Sequence, residues 1–175
     1  MKLPGDLRMI AWEITRSCNL NCIHCRAASQ YGPYEGEFST ERCVSLLDEI
    51  AEVGHPVIIL TGGEPYMRDD IFEIAAEGDR RGFRMVLATN GTLVTGEIAE
   101  KTKRAGIKRI SISIDGPDAT GHDSFRGVDG AFKGALEGIE AFRRAGIEFQ
   151  INTTITEINR KDLPRIMDLA VSLGA

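Results

Sequence analysis

The sequence has little of two things that would mark particular classes of protein: long apolar runs and an excess of basic residues. No apolar run exceeds four residues, as at 57–60, so these 175 residues contain no candidate membrane span and no signal-peptide core. Lys and Arg number 21 against 26 Asp and Glu, a formal charge of −5, which excludes a nucleic-acid binder driven by bulk charge. With neither a membrane nor a nucleic acid indicated as a partner, we expect a cytoplasmic protein.

The chain also lacks a Pro/Gly/Ser-rich linker, and it has only four cysteines. A hydrophobic fraction of 42% and a charged fraction of 27% are ordinary for a folded domain. A domain of this length buries roughly 70% of the surface of its extended chain, so it needs no disulfides for stability. In a reducing compartment, clustered cysteines therefore predict a metal or redox site.

Short apolar or β-branched runs alternate with segments of helical period along the whole chain, the pattern of a parallel α/β sheet. The predicted strands are Met9 to Thr15, Val57 to Thr61, Met85 to Thr89, Arg109 to Ile114 and Glu148 to Thr154. Five βα units are too few for an eight-unit barrel. The pattern therefore predicts a partial parallel barrel, of the (β/α)6 type, with about five units. Because the sequence stops at a helix-stop glycine, Gly174, we expect residues 1–175 to be one domain that is incomplete at its C-terminus.

Cys18, Cys22 and Cys25 form a C-x3-C-x2-C triplet directly after the first strand. Three such thiolates can hold one [4Fe–4S] cluster, and because the cluster normally takes four cysteines, one iron is left open for a substrate or cofactor. The alternatives are a structural zinc site, with His24 or Cys43 as fourth ligand, and three unrelated buried thiols. Cys43 falls on the apolar face of a predicted helix, which favours a structural role.

Other polar residues follow the predicted strands, at the edge where parallel α/β folds place their sites. Gly62 and Gly63 allow a sharp turn close to a ligand, and Glu64 offers an acceptor for an ammonium group. A guanidinium such as that of Arg126 suits a carboxylate. The remaining candidates are Asn90, Ser113, Asp115 and Asn152, for hydroxyl groups or base edges of a ligand. Each also has a plain structural reading: an ordinary turn, a surface charge or an internal polar network.

The cysteine triplet after strand one, followed by Gly-Gly-Glu-Pro after strand two, resembles the radical S-adenosylmethionine superfamily. The resemblance implies a [4Fe–4S] cluster and S-adenosylmethionine as cofactors, reductive cleavage of the latter to a 5′-deoxyadenosyl radical, and hydrogen abstraction from a substrate. It also implies that His24 stacks on adenine, where the family usually has an aromatic residue. The Gly-Gly-Glu loop would hold the methionine amino group, Ser113 or Asp115 the ribose, and Arg126 the methionine carboxylate.

Stretches such as Cys25-Arg26-Ala27 and Phe125-Arg126-Gly127 are similar to porphyrin-modifying enzymes of alternative haem and haem d1 biosynthesis, and less closely to peptide- and pterin-cofactor-maturing enzymes. The resemblance further implies a small-molecule or peptide substrate and a low-potential electron donor such as ferredoxin or flavodoxin. Glu64, Asp115 and Arg126 should then surround one cavity beside the cysteines. A non-catalytic zinc or iron–sulfur module is the alternative of a different class, and it would have no need of the Gly-Gly-Glu loop.

Overall fold

Five parallel strands form one sheet in the computed structural model, which describes residues 7–175. The strand order β1-β2-β3-β4-β5 follows the sequence, and every neighbouring pair is parallel. This confirms the predicted α/β class and the five units of an open, partial barrel. The strands are β1 (Met9–Thr15), β2 (Val57–Gly62), β3 (Arg84–Thr89), β4 (Arg109–Ser113) and β5 (Phe149–Asn152).

Within the described residues, 7–175, six α-helices connect or follow the strands. They are α1 (Thr40–Val53), α2 (Ile71–Arg80), α3 (Gly96–Arg104), α4 (Ala119–Arg126), α5 (Ala131–Ala145) and α6 (Leu163–Leu173). Side-chain hydrogen bonds cap the N-termini of several helices. Ser39 accepts from the Arg42 N–H at the start of α1, and Asp118 accepts from the Gly121 N–H at the start of α4. Among residues 7–175, no helix is long and apolar enough to cross a membrane.

Side chains on one face of the sheet, here called the covered face, form the hydrophobic core with the helices. Its strand residues are at most 4% exposed: Ile14, Ile58, Leu60, Met85, Leu87, Ile110 and Ile112. Because side chains alternate along a strand, their neighbours point the other way, onto what we call the open face. Glu13, Thr61, Ala88 and Ser113 lie there, exposed or half-buried, and all four line one cavity.

Strands β4 and β5 end earlier than the sequence predicts. The predicted Arg109 to Ile114 and Glu148 to Thr154 are observed as Arg109–Ser113 and Phe149–Asn152. The N–H of Thr154 donates to Asp115 Oδ1 at 2.7 Å instead of to a neighbouring strand. A hydrogen bond to a side chain thus replaces strand pairing at the carboxyl edge of the sheet.

Candidate active site

The cysteine loop, residues 16–38, is attached at one side to the end of α4. The N–H of Asn21 donates to Arg126 O and the N–H of Ile23 donates to Phe125 O, both at 3.1 Å. Gly127 makes this approach possible, since a Cβ there would lie 2.2 Å from Asn21 O. Helix α4 therefore determines where the cysteines lie.

The three thiols of the triplet line a single cavity of about 260 Å³. Each Sγ accepts from a different N–H: Cys18 from Leu20 at 3.4 Å, Cys22 from Arg126 Nη1 at 3.5 Å, and Cys25 from Ser29 at 3.3 Å. Donors of this kind favour a thiolate over a thiol.

The pKa values of two of these thiols move in opposite directions. Burial raises the pKa of Cys18. Burial acts in the same sense on Cys25, but hydrogen bonds from Ser29, Ala27 and Ala28 outweigh it, and the pKa of Cys25 falls below its ordinary value. Cys25, the more exposed of the two thiols, thus ionises more readily than Cys18.

The placement of the triplet is compatible with a cluster whose irons are held separately. In the part of the chain that the structure describes, no group of three or more His, Cys, Asp or Glu side chains converges to hold one ion. A cluster with separate iron corners does not need its ligands to meet at one point. Cys43 is fully buried in the core on α1, which fits the predicted structural role, and it does not line the cavity.

Gly62 and Gly63 lie against the end of β1, where only glycine fits. A Cβ on Gly62 would be 2.2 Å from Thr15 O, and one on Gly63 would be 2.3 Å from Ser17 O. The N–H groups of Gly63 and Glu64 donate to those same two carbonyls, each at 2.7 Å. The paired glycines thus join the loop after β2 to the cysteine loop, and both of them line the cavity.

Glu64 does not line the cavity, contrary to the expected arrangement. Its carboxylate is fully buried and accepts from Thr89 Oγ1 at 2.8 Å, from the Asn90 N–H at 2.8 Å and from the Tyr66 N–H at 3.2 Å. Burial raises the pKa of Glu64 to about 7. With three donors already bound, this carboxylate holds the loop after β3 in place and is not oriented toward a ligand.

Asn90 lines the cavity, and its amide connects the loop after β3 to the cysteine loop. The Nδ2 atom donates to Asn19 Oδ1 at 2.9 Å, and Oδ1 accepts from Thr92 Oγ1 at 2.7 Å. Asn19 Nδ2 in turn donates to Thr92 Oγ1 at 2.7 Å. These hydrogen bonds make Asn90 part of a network that positions the two loops.

Arg126 and Asp115 form a buried ion pair. Asp115 is fully buried and does not line the cavity, whereas Arg126 does line it and is 8% exposed. The His122 Nδ1 accepts from the Asp115 N–H at 3.1 Å, and burial lowers the pKa of this imidazole to about 4. The expectation that all three of Glu64, Asp115 and Arg126 surround the cavity is thus wrong for the first two. All three follow strands at the carboxyl edge of the sheet, but the two carboxylates accept hydrogen bonds from internal donors.

The remaining predicted residues divide between the cavity and the strand beyond it. His24 lines the cavity, with its ring centroid 4.5 Å from that of Phe125, and burial lowers its pKa. Ser113 lines the cavity from the end of β4. Asn152 is exposed on β5 and accepts from Gln150 at 3.1 Å, outside the residues that line the cavity.

Two charged residues of the cavity wall were missed by the sequence reasoning. Glu13 points from the open face of β1, and Arg26 directly follows Cys25. A signal for Glu13 existed, because it is the one carboxylate inside an otherwise apolar strand, next to Trp12 and Ile14. No comparable signal distinguishes Arg26 from any other loop arginine.

Some known proteins are similar to this chain in sequence, and some solved structures are similar to it in fold. The family described as the Radical SAM superfamily matches residues 12–170. An AdoMet-dependent heme synthase of Methanosarcina barkeri is 52% identical over 168 residues, covering 96% of this chain and 48% of that protein. A Fe-coproporphyrin III synthase of the same organism is 43% identical over 176 residues, covering 96% and 44%.

Among solved structures, Streptococcus suis SuiB bound to S-adenosylmethionine superposes with a TM-score of 0.80 at 16% identity, over 96% of this chain and 38% of that one. At that identity the likeness concerns the fold. The chain spans less than half the length of each of these three proteins.

Proposed function

The chain belongs to the radical SAM superfamily, and from that premise we propose that residues 1–175 are the catalytic core of a porphyrin-modifying enzyme of haem biosynthesis. The observation that carries the proposal is the gathering of all three triplet thiols on one cavity with the Gly-Gly loop. The 52% identity to a heme synthase supports the porphyrin as substrate. Members of the superfamily act on small molecules or on peptides.

The donor set fits the cluster that the superfamily uses. Cys18, Cys22 and Cys25 would each hold one iron of a [4Fe–4S] cluster, and Cys43 would hold none. Three sulfur ligands, each with its own N–H donor, would leave one iron of the cluster free to take a further ligand.

The second cofactor of the superfamily is S-adenosylmethionine, and in this proposal it binds in the same cavity. When bound, cluster and cofactor supply a one-electron cleavage that yields methionine and a 5′-deoxyadenosyl radical, which takes a hydrogen atom from the substrate. Within this chain, the Gly62 and Gly63 backbone would approach the methionine amino group, and His24 would lie flat on adenine. Ser113 would accept from or donate to a ribose hydroxyl.

The buried polar residues have a different task in this proposal. Asn90 connects the loop after β3 to the cysteine loop, Glu64 connects the loops after β2 and β3, and Asp115 connects the loop after β4 to the segment after β5. Prepositioned loops exclude water and orient a ligand at no reorganisation cost during the reaction. A low-potential protein donor such as ferredoxin or flavodoxin would supply the electron.

Anaerobic reconstitution with iron and sulfide tests the proposal. We expect iron uptake and brown colour in the wild type and in Cys43→Ala, and loss of both when Cys22 is replaced by Ala. Under reducing conditions, wild type should convert S-adenosylmethionine to 5′-deoxyadenosine, faster with iron coproporphyrin III than with a peptide.

Two outcomes would contradict it. Full zinc occupancy without iron uptake would favour the zinc module. Loss of the cluster in Cys43→Ala would overturn the ligand assignment, since that thiol lies in the hydrophobic core.

A further inference from the structure

One ion pair in the cavity wall has no part in the function proposed above. Arg26, the residue after Cys25, pairs with Glu13 on the open face of β1. Both side chains line the same cavity as the three thiols. The pair therefore lies where a ligand would enter.

Stability does not account for this pair. The Arg26 side chain is 84% exposed and that of Glu13 is 53% exposed. Exposed ion pairs contribute little to stability. The pair Arg144–Glu140 is comparably exposed, but its i,i+4 spacing stabilises a single helix. Arg26 and Glu13 instead connect a loop to a strand that lies 13 residues earlier in the sequence.

Arg26 is also the accessible cation of this cavity. The described residues that line the cavity include two cationic side chains, Arg26 and Arg126. Arg126 is 8% exposed and already engaged with Asp115 and Cys22. The Arg26 guanidinium is therefore the more accessible of the two to an incoming carboxylate, and its planar fork can bind both carboxylate oxygens.

We propose that Arg26 binds a carboxylate of the ligand in this cavity and that Glu13 occupies the guanidinium until that carboxylate displaces it. The inference rests on the proposed function, which offers two sources of the group: the methionine carboxylate of S-adenosylmethionine and the acidic side chains of a porphyrin.

The open face favours the substrate as the source. Ala11 lies two residues before Glu13 on the same face of β1, and it pairs in register with Ile59 of β2. An apolar surface thus adjoins the ion pair. A flat apolar ring with carboxylates at its edge matches that arrangement.

The test measures binding of iron coproporphyrin III through the shift of its absorbance in wild type, Arg26→Gln, Glu13→Gln and Arg144→Gln. We expect Arg26→Gln to weaken binding about tenfold or more, since a charge-assisted bidentate contact is lost. Glu13→Gln should tighten binding severalfold, because the internal competitor is removed. Arg144→Gln, which removes a comparably exposed ion pair on α5, should change nothing.

Two further arms distinguish the source of the carboxylate. The tetramethyl ester of the same porphyrin should bind equally to wild type and Arg26→Gln if the contact is to a porphyrin carboxylate. Equilibrium binding of S-adenosylmethionine should then also be equal in the two proteins. Weaker binding of S-adenosylmethionine to Arg26→Gln, with the porphyrin unaffected, would overturn the assignment to substrate.

Other results overturn the inference as a whole. Unchanged affinity of Arg26→Gln for both ligands would do so, and weaker porphyrin binding in Glu13→Gln would overturn the displacement. If instead the proposed function were wrong, the wild type itself would form no 5′-deoxyadenosine. The two results can therefore be told apart.

Discussion

The two faces of one sheet differ sharply in what their side chains do. On the covered face, Leu60 and Ile112 are fully buried among the helices. On the open face, Thr61 and Ser113, the residues that follow them, line the cavity beside the cysteines. Because a strand alternates its side chains with period two, adjacent residues serve different purposes. Side chains on the covered face thus stabilise the fold, and side chains on the open face are placed to contact a ligand.

The pair Leu60 and Thr61 offers the largest test of that comparison. Leu60→Ala should lower the free energy of unfolding by about 2–5 kcal/mol, because it leaves a cavity in a packed core. Thr61→Ala should lower it by less than about 1 kcal/mol, because its side chain borders an open cavity. Urea denaturation of both variants measures the difference. Equal losses would show that the open face is also part of the structural core.

A second test uses pH, because the pKa values of two buried groups at the carboxyl edge of the sheet are shifted in opposite directions. The pKa of Glu64 is raised to about 7, so this residue favours the folded state below pH ~4.5, and that contribution is lost as pH rises toward 7. The pKa of His122 is lowered to about 4, so its contribution is present above pH ~6.5 and is lost as pH falls toward 4.

The free energy of unfolding of Glu64→Gln relative to wild type should therefore rise by up to about 3 kcal/mol between pH 4.5 and 7. That of His122→Asn relative to wild type should fall by a similar amount between pH 4 and 6.5, since Asn keeps an acceptor for the Asp115 N–H. Chemical denaturation across this range gives both slopes. Slopes of the same sign would contradict the assignment.

The smallest expected effect concerns two glycines. Gly63→Ala should destabilise the protein by about 1–3 kcal/mol, because its Cβ would press on the Ser17 and Arg16 carbonyls, and it should weaken S-adenosylmethionine binding. Gly96→Ala, at the start of α3 with nothing within 4 Å of the new Cβ, should be neutral or stabilise by up to about 1 kcal/mol. Thermal denaturation and equilibrium binding report both. Normal ligand affinity in Gly63→Ala would separate this loop from the site.

Much of the fold was predictable because its signals are local. Alternating apolar runs and helical periods marked all five strands, and their ends were wrong by only a few residues. The largest error was at β5, where Asp115, remote in sequence, captures the Thr154 N–H. The cysteine triplet was equally visible, since its spacing lies within one loop.

The sequence by itself determined the sheet, its helices and the chemistry of the cysteine loop, because periodicity and spacing are properties of neighbouring residues. Only the tertiary structure decided which polar side chains face the cavity. Glu64 and Asp115 follow strands just as ligand-binding carboxylates do, yet they turn inward to Asn90 and Arg126. Buried N–H and guanidinium groups require acceptors, and where those donors lie depends on how distant loops meet. For the same reason, the pairing of Glu13 with Arg26 emerged only once the cysteine loop was folded over β1.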